Sequence, residues 1–234
     1  MMTMITAANI ARHGPTMEDV WSFRHRQFVD RFRWNNLRKS DGREIDEFDT
    51  ECAIHLPLLL GGSVVGYTRF LRTDRPHLLS ENYPELMGGA LWPRGDDIVE
   101  WTRCVAEPGA ADAEGISAIS LVYTGVAEAF LALGLRGVIM RTHPKFVSRL
   151  IEAGWNVRPL NVPCSLEGKP LAVIFAAATA ETVRISQSMC RRTKPVLAIE
   201  TDIPHPTQPE ASIRIVSHAT YARMSGPKLP PWRA

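Results

Sequence analysis

Cysteine is scarce and unpaired. The four residues, Cys52, Cys104, Cys164 and Cys190, are widely scattered and form no C-x-x-C pair. That disfavours a zinc site or a disulfide framework and fits inert thiols in a reducing cytoplasm. The seven histidines include neither H-E-x-x-H nor H-x-H, so no metal site is expected. Long apolar runs are missing too: Leu171 to Ala178 is strand-sized, against the roughly 20 residues of a membrane-crossing helix. The N-terminal residues lack a basic stretch followed by a long apolar one, so no secretory signal is read there and a cytoplasmic location is expected. A net charge of +2 shows no excess of one sign that would mark a nucleic-acid or anionic-membrane binder. Neither G-x-G-x-x-G nor G-x-x-x-x-G-K-[S/T] occurs, and the usual marks of Rossmann and P-loop nucleotide binding are thereby absent.

What is there reads as a globular domain: 234 residues, 45% hydrophobic and 22% charged, close to the soluble average. Residues 1–194 read as one domain. Residues 195–234, with prolines at 195, 204, 206, 209, 227, 230 and 231, read as a proline-rich extension. Thr3–Ile10 reads as a strand. Thr16 reads as the N-cap of a helix reaching Phe32, with Glu18 and Asp19 in its first turn. Residues 33–51 carry no period and read as a long loop of the kind that often holds function. Gly61-Gly62 between His55–Leu60 and Ser63–Arg72 marks a β-hairpin. The proline-punctuated stretch 73–97 reads mostly as loop, and 97–105 as a strand. Gly115–Leu133 follows the 3.6-residue period and is closed by Gly134. A strand over 137–142, a helix opened by Pro144, strands at 157–160 and 171–177, and a helix over 180–192 follow. This order predicts an α/β or α+β domain on a mixed sheet.

Three arginines stand in apolar segments. Arg24 shares a helix face with Trp21 and Phe28, Arg69 lies mid-strand in Val65–Leu71, and Arg103 lies in Ile98–Cys104. Each wants an acid nearby; Arg24 must find a carboxylate or a ligand, or snorkel out to water. The run Glu44–Glu51 supplies five acids in eight residues, and Asp46 and Asp49 are the candidate partners. The run is either a solvated loop or half of an arginine–carboxylate network, and such a network is either structural or holds a zwitterionic ligand. Glu100 and Arg103 would point to opposite faces of a regular strand; a β-bulge would bring both to one site. Flanked by Val99 and Trp101, Glu100 is either a salt-bridged strand residue or a partly desolvated general base.

With these residues in place, the chain from Phe23 to Arg103 resembles the acyl-homoserine-lactone synthases, the autoinducer synthases of bacterial quorum sensing. The family pattern is an Arg, a Phe four later, a Trp six after that, a D-x-x-D element, a strand Arg, and a Glu with an Arg three later. It falls on Arg24, Phe28, Trp34, Asp46, Asp49, Arg69, Glu100 and Arg103. Leu135-Arg136-Gly137-Val138, Arg149-Leu150 and Gly154-Trp155 add a weaker likeness downstream. Tyr83 stands where the family commonly has Phe. Trp101 stands where many members carry a smaller residue, as in the subgroup making branched or aromatic acyl signals.

The resemblance implies a fold similar to the GNAT acyltransferases and an enzyme that makes an acyl-homoserine lactone from S-adenosylmethionine and an acyl thioester. It needs no cofactor, since S-adenosylmethionine is a substrate. It implies Glu100 as the base for the amine. Asp46 and Asp49 would balance the amine and sulfonium and orient Arg69 and Arg103. Arg24, Phe28, Trp34 and Tyr83 would form the S-adenosylmethionine pocket, and Trp101, Met140, Thr142 and Phe146 the acyl pocket. The donor would be acyl-CoA, to which Trp101 points, or acyl carrier protein, for which Arg136, Arg141, Lys145 and Arg149 are either an acceptor surface or a solvated face. The R/Q-x-x-G-x-G/A pyrophosphate loop of ordinary GNAT enzymes is absent from Arg103–Ala110, which disfavours a simple acetyltransferase. Another GNAT-like N-acyltransferase, or a non-catalytic S-adenosylmethionine-binding module, is the alternative.

Overall fold

The computed structural model describes residues 1–166 and 168–200. Its strands are β1 (Met2–Thr3), β2 (Ile54–Leu60), β3 (Ser63–Arg72), β4 (Ile98–Ala106), β5 (Gly137–Thr142), β6 (Asn156–Pro159), β7 (Cys164–Leu166), β8 (Lys169–Ala177) and β9 (Leu197–Ala198). They form one sheet in the order β6-β8-β5-β4-β3-β2-β1-β9, with β7 on β8. The sheet is mixed, as expected: β4–β5 and β1–β9 are parallel and the other pairs antiparallel. The helices are α1 (Gly14–Arg24), α2 (Leu78–Asn82), α3 (Ala118–Ala132), α4 (Pro144–Glu152) and α5 (Ala180–Met189).

Strand alternation sends Phe70, Val99, Trp101, Val138, Met140 and Ile174 to one face, where they form the main core with α3, Leu150 of α4 and Val183 of α5. The opposite face carries Tyr67, Val105, Ile98, Ile139 and Val173, covered by α1 and by the segment holding α2. The hairpin turns where the glycine pair predicts, with Gly61 and Gly62 both at positive φ, the backbone a two-residue hairpin demands.

Two features of β4 make the site. Its parallel pairing with β5 covers only Ile98–Gly137 to Glu100–Ile139. Beyond that, β4 stays with β3 and β5 with β8, so the sheet splits just past Glu100. Then Thr102 pairs Arg69 and Val105 pairs Tyr67, leaving Arg103 and Cys104 opposite Thr68 alone. This is the bulge that the Glu100–Arg103 spacing requires. Arg103 takes φ +55° there, a left-handed conformation that costs a non-glycine residue about 1–3 kcal/mol.

Several elements differ from expectation. The strand expected over Thr3–Ile10 ends at Thr3, with an isolated bridge from Ile5 to His55, because Asn9 accepts from the Thr6 N–H at 2.8 Å and donates to the Met4 carbonyl at 3.0 Å. Such side-chain bonds turn the chain out of a ladder. The first helix starts at Gly14 with Pro15 in its first turn, not at a Thr16 cap. From His25 to Arg31 it widens into a π-helix, a distortion frequent at functional sites. The stretch 73–97 contains α2, and β7 and β9 appear where no strand was expected. β9 lies inside the segment read as an extension. It is tied down by Glu128 Oε2, which accepts from the Val196 and Leu197 N–H groups at 2.9 and 2.8 Å. The rest of that extension, 201–234, lies outside the described residues.

A Cβ at Gly137 would run into the buried ring of Phe175. Gly137→Ala should therefore overpack the β4–β5–β8 junction and destabilise the protein by about 1–3 kcal/mol, read as a lowered urea midpoint with unchanged slope.

Candidate active site

On the α1 face, the bulge and the loop 33–51 bring three arginines onto three carboxylates. Arg24 and Arg69 are fully buried. Arg24 Nε donates to Glu44 Oε2 at 2.5 Å and its Nη1 to Asp49 Oδ1 at 2.8 Å. Arg69 grips Asp46 with both terminal nitrogens, at 2.6 and 2.9 Å, and reaches Asp49 Oδ1 at 2.5 Å. Its Nε donates to Thr102 Oγ1 at 3.1 Å. Arg103 donates to Glu44 Oε1 at 3.0 Å and Asp46 Oδ2 at 2.8 Å. Three cations meet three anions, so each buried charge has an opposite charge beside it.

Burial by itself would raise the carboxyl pKa values of Glu44 and Asp49. Arg24 with Arg103, and Arg24 with Arg69, outweigh it and hold both below the usual carboxylate range. Next to them His55 shares a 2.7 Å hydrogen bond with the Tyr67 hydroxyl, and burial drives its pKa down to about 4.

The aromatic residues divide into two groups. Phe28 and Trp34 stack at 5.1 Å, and the Arg103 guanidinium lies 5.4 and 5.8 Å from their ring centres. An aromatic pair that accepts this cation is suited to others. Tyr83 is set apart from them, in the cluster around Leu79, with the Arg141 guanidinium 3.9 Å from its ring centre.

Glu100 belongs to the same face but bonds to the α2 segment rather than to the arginines. It is 1% exposed. Its Oε2 accepts the Leu79 N–H at 3.0 Å and lies 2.7 Å from His77 Nδ1.

Behind the split, on the α3 face, Trp101 stacks on Trp155 at 5.8 Å and meets Phe146 and Tyr123 edge-on at 5.8 and 6.4 Å. Its indole N–H donates to Thr68 Oγ1 at 2.6 Å, and that hydroxyl donates to the Thr102 carbonyl at 3.0 Å, so the bulge and the indole are locked together. Met140 joins this core, Phe146 packs against it, and Thr142 is half-buried at the end of β5. Burial against the core pushes the Cys104 thiol up to about 12. Arg141, Lys145 and Arg149 lie at the end of β5 and on α4, whereas Arg136 precedes β5 and pairs with Asp97 at 2.9 Å.

Four contributors are not singled out by the sequence reading. Glu44 lies in the same acidic run, two residues before Asp46, and nothing in spacing alone tells which acids of a loop turn inward. Tyr123 and Trp155 complete the aromatic box from elements distant in sequence. His77 lies in a stretch that reads as loop.

The site is thus a sheet split at a bulged central strand, with a buried carboxylate at the split and an aromatic box behind it. An acyl-CoA N-acyltransferase from Pseudomonas aeruginosa, 14% identical, shares the fold with a TM-score of 0.50 over 76% of this chain and 99% of its own. The likeness is closer to CoA-dependent acyl-homoserine lactone synthase BjaI, solved with SAM and isopentyl-CoA: TM-score 0.78 and 27% identity, covering 88% of this chain and 94% of BjaI. The isovaleryl-homoserine lactone synthase of Bradyrhizobium diazoefficiens is 32% identical over 168 residues, 71% of this chain and 75% of that protein. Residues 9–185 match the autoinducer synthase family model. The chain belongs to the autoinducer synthase family and is an acyltransferase of the acyl-homoserine-lactone synthase class.

The depressed groups fix how acid acts. His55 titrates at about 4 in the fold, against 6.5 for a free imidazole. Its contribution to stability is complete above pH 6.5 and is lost as pH falls toward 4. Glu44 and Asp49, held below the usual range, lose theirs only below about pH 4. Urea unfolding from pH 8 to 3.5 should show stability declining below pH 6.5, at up to about 1.4 kcal/mol per pH unit from His55. In His55→Asn the part of the slope between pH 6.5 and 4 due to this residue should vanish.

Proposed function

We propose that this chain acylates the amine of S-adenosylmethionine with a short branched or aromatic acyl group carried by coenzyme A, and then closes the lactone. The observation that carries this is the placement of Glu100 at the split of β4 and β5, between the arginine network and the aromatic box around Trp101. Glu100 takes a proton from the amine, directly or through a water. The amine nitrogen attacks the thioester carbonyl, the C–S bond breaks, and the sulfur leaves as a thiol by taking up the proton that Glu100 accepted. A backbone N–H at the Arg103–Cys104 bulge stabilises the oxyanion. The methionyl carboxylate then attacks its own γ-carbon. The sulfonium C–S bond breaks, and methylthioadenosine departs uncharged. S-adenosylmethionine is consumed, so the reaction needs no further cofactor.

The assignment of Asp46 and Asp49 changes in one respect. Their oxygens are occupied by Arg24, Arg69, Arg103 and nearby backbone N–H groups, so we assign them to orienting the arginines rather than to meeting the sulfonium. The sulfonium is assigned to the Phe28–Trp34 faces and the substrate carboxylate to Arg103. Tyr83 would contact substrate from the α2 side of Glu100. On the other side of the sheet, Trp101, Met140, Thr142 and Phe146, with Tyr123 and Trp155, would bound a short acyl pocket. The branched-acyl relatives support this choice of donor. Acyl carrier protein docking on Arg141, Lys145 and Arg149 is the second reading, favoured by their position on one end of β5 and α4. Both donors are cytoplasmic metabolites, and we place the enzyme in the cytoplasm; among the described residues no helix is long and apolar enough to cross a membrane. Residues 1–194, together with β9, would carry the whole activity.

Incubated with S-adenosylmethionine and a panel of straight, branched and aromatic acyl donors on CoA and on carrier protein, the protein should release methylthioadenosine and an acyl-homoserine lactone together, most from a branched or aromatic acyl-CoA. Acylation of some other amine without methylthioadenosine would overturn this. Glu100→Gln should lower turnover about 10²- to 10⁴-fold without loss of fold. Phe146→Ala, by opening the box, should shift kcat/KM toward longer straight chains.

A further inference from the structure

We infer that His77 is a positioning residue for this reaction, holding one oxygen of Glu100 so that the other is free to take the amine proton. The inference rests on the reading of Glu100 as the base.

Glu100 is held by two donors, and both converge on Oε2: the Leu79 N–H at 3.0 Å and His77 Nδ1 at 2.7 Å. Because Oε2 of an ionised carboxylate can only accept, the imidazole proton is assigned to Nδ1. Oε1 receives neither bond. The arginine network, which occupies the carboxylates of Glu44, Asp46 and Asp49, does not extend to Glu100, so His77 is the side chain that sets its rotamer.

The imidazole is not there for packing. His77 is fully buried, and among the described residues its Nε2 has no hydrogen-bond partner. An apolar side chain of similar size would fill the space without burying an orphan nitrogen. What the histidine adds is the Nδ1–H. Its own placement is fixed twice: its backbone N–H donates to Ser80 Oγ at 3.1 Å, and Trp92 meets its ring edge-on at 6.1 Å. During acylation the proton leaves the amine nitrogen and arrives on Oε1. The Nδ1 proton of His77 stays where it is, and no net proton passes through the imidazole.

Steady-state kinetics on His77→Leu and His77→Asn test this, with Glu100→Gln alongside. The Asn amide nitrogen occupies the place of Nδ1 and keeps the donor; Leu removes it. His77→Leu should lower kcat on the order of 10²-fold and leave KM for S-adenosylmethionine within about twofold, while His77→Asn recovers most of the turnover. Equal turnover in the two variants, whether high or low, overturns the inference when Glu100→Gln is inactive. If Glu100→Gln retains wild-type turnover, the base reading itself fails and this inference falls with it. Should His77→Leu not fold, His77→Ala assayed with and without added imidazole gives the same contrast: turnover restored by imidazole supports the inference, and turnover indifferent to it overturns it.

Discussion

The buried lattice of Arg24, Arg69 and Arg103 with Glu44, Asp46 and Asp49 is the constraint on which the rest of the active face depends. Six charges are withdrawn from water there, and each guanidinium bridges at least two carboxylates. The acids come from a loop with almost no secondary structure of its own; the arginines come from the first helix, β3 and β4. The lattice is therefore what fastens the loop to the sheet. Removing one member strands its partners in the interior, and such losses run to roughly 3–5 kcal/mol. The loop cannot be loosened without disturbing the residues proposed to meet substrate.

The bulge in β4 extends that constraint to the chemistry. It places Arg103 on the same face as Glu100 and Thr102, so that one strand serves both the lattice and the split. The left-handed backbone at Arg103 is unfavourable on its own. It is held by the guanidinium's bonds to Glu44 and Asp46 at one end, and by the Thr68 bridge between the Trp101 indole and the Thr102 carbonyl at the other. Local strain of this kind persists where the surroundings over-determine it.

Much of this is legible in the sequence, and the exceptions have physical reasons. The hairpin is readable because two glycines permit a turn that other residues resist, and α3 because its apolar period runs for four turns. Arginines in apolar strands demand acids, which makes Asp46 and Asp49 readable as partners. The spacing of Glu100 and Arg103 announces a bulge. Other parts are hidden. A five-residue helix such as α2 is too short to show a period and is masked by Pro76 and Pro84, and His77 is hidden with it. The π-helical turn after Arg24 differs from an α-helix by too little over seven residues to leave a pattern. The end of β1 depends on Asn9 folding back on the Thr6 and Met4 backbone, a local bond that outcompetes an otherwise strand-like run. The pairing of β9 depends on Glu128, far away in the chain.

Glu100 and Trp101 are neighbours in the chain, yet they stand on opposite sides of the sheet. The split between β4 and β5 thus works as a slot through a wall, with the proposed amine substrate on one side and the acyl chain on the other. The two recognition problems are interleaved along one strand, residue by residue, yet share almost no side chains. Under the proposed assignment, acyl preference would drift through Trp101, Phe146 and their neighbours while the charged face stays unchanged. An odd-numbered slip in the strand would exchange the two sides outright. The enzyme's specificity is open to gradual change, while its reading frame across the sheet is not.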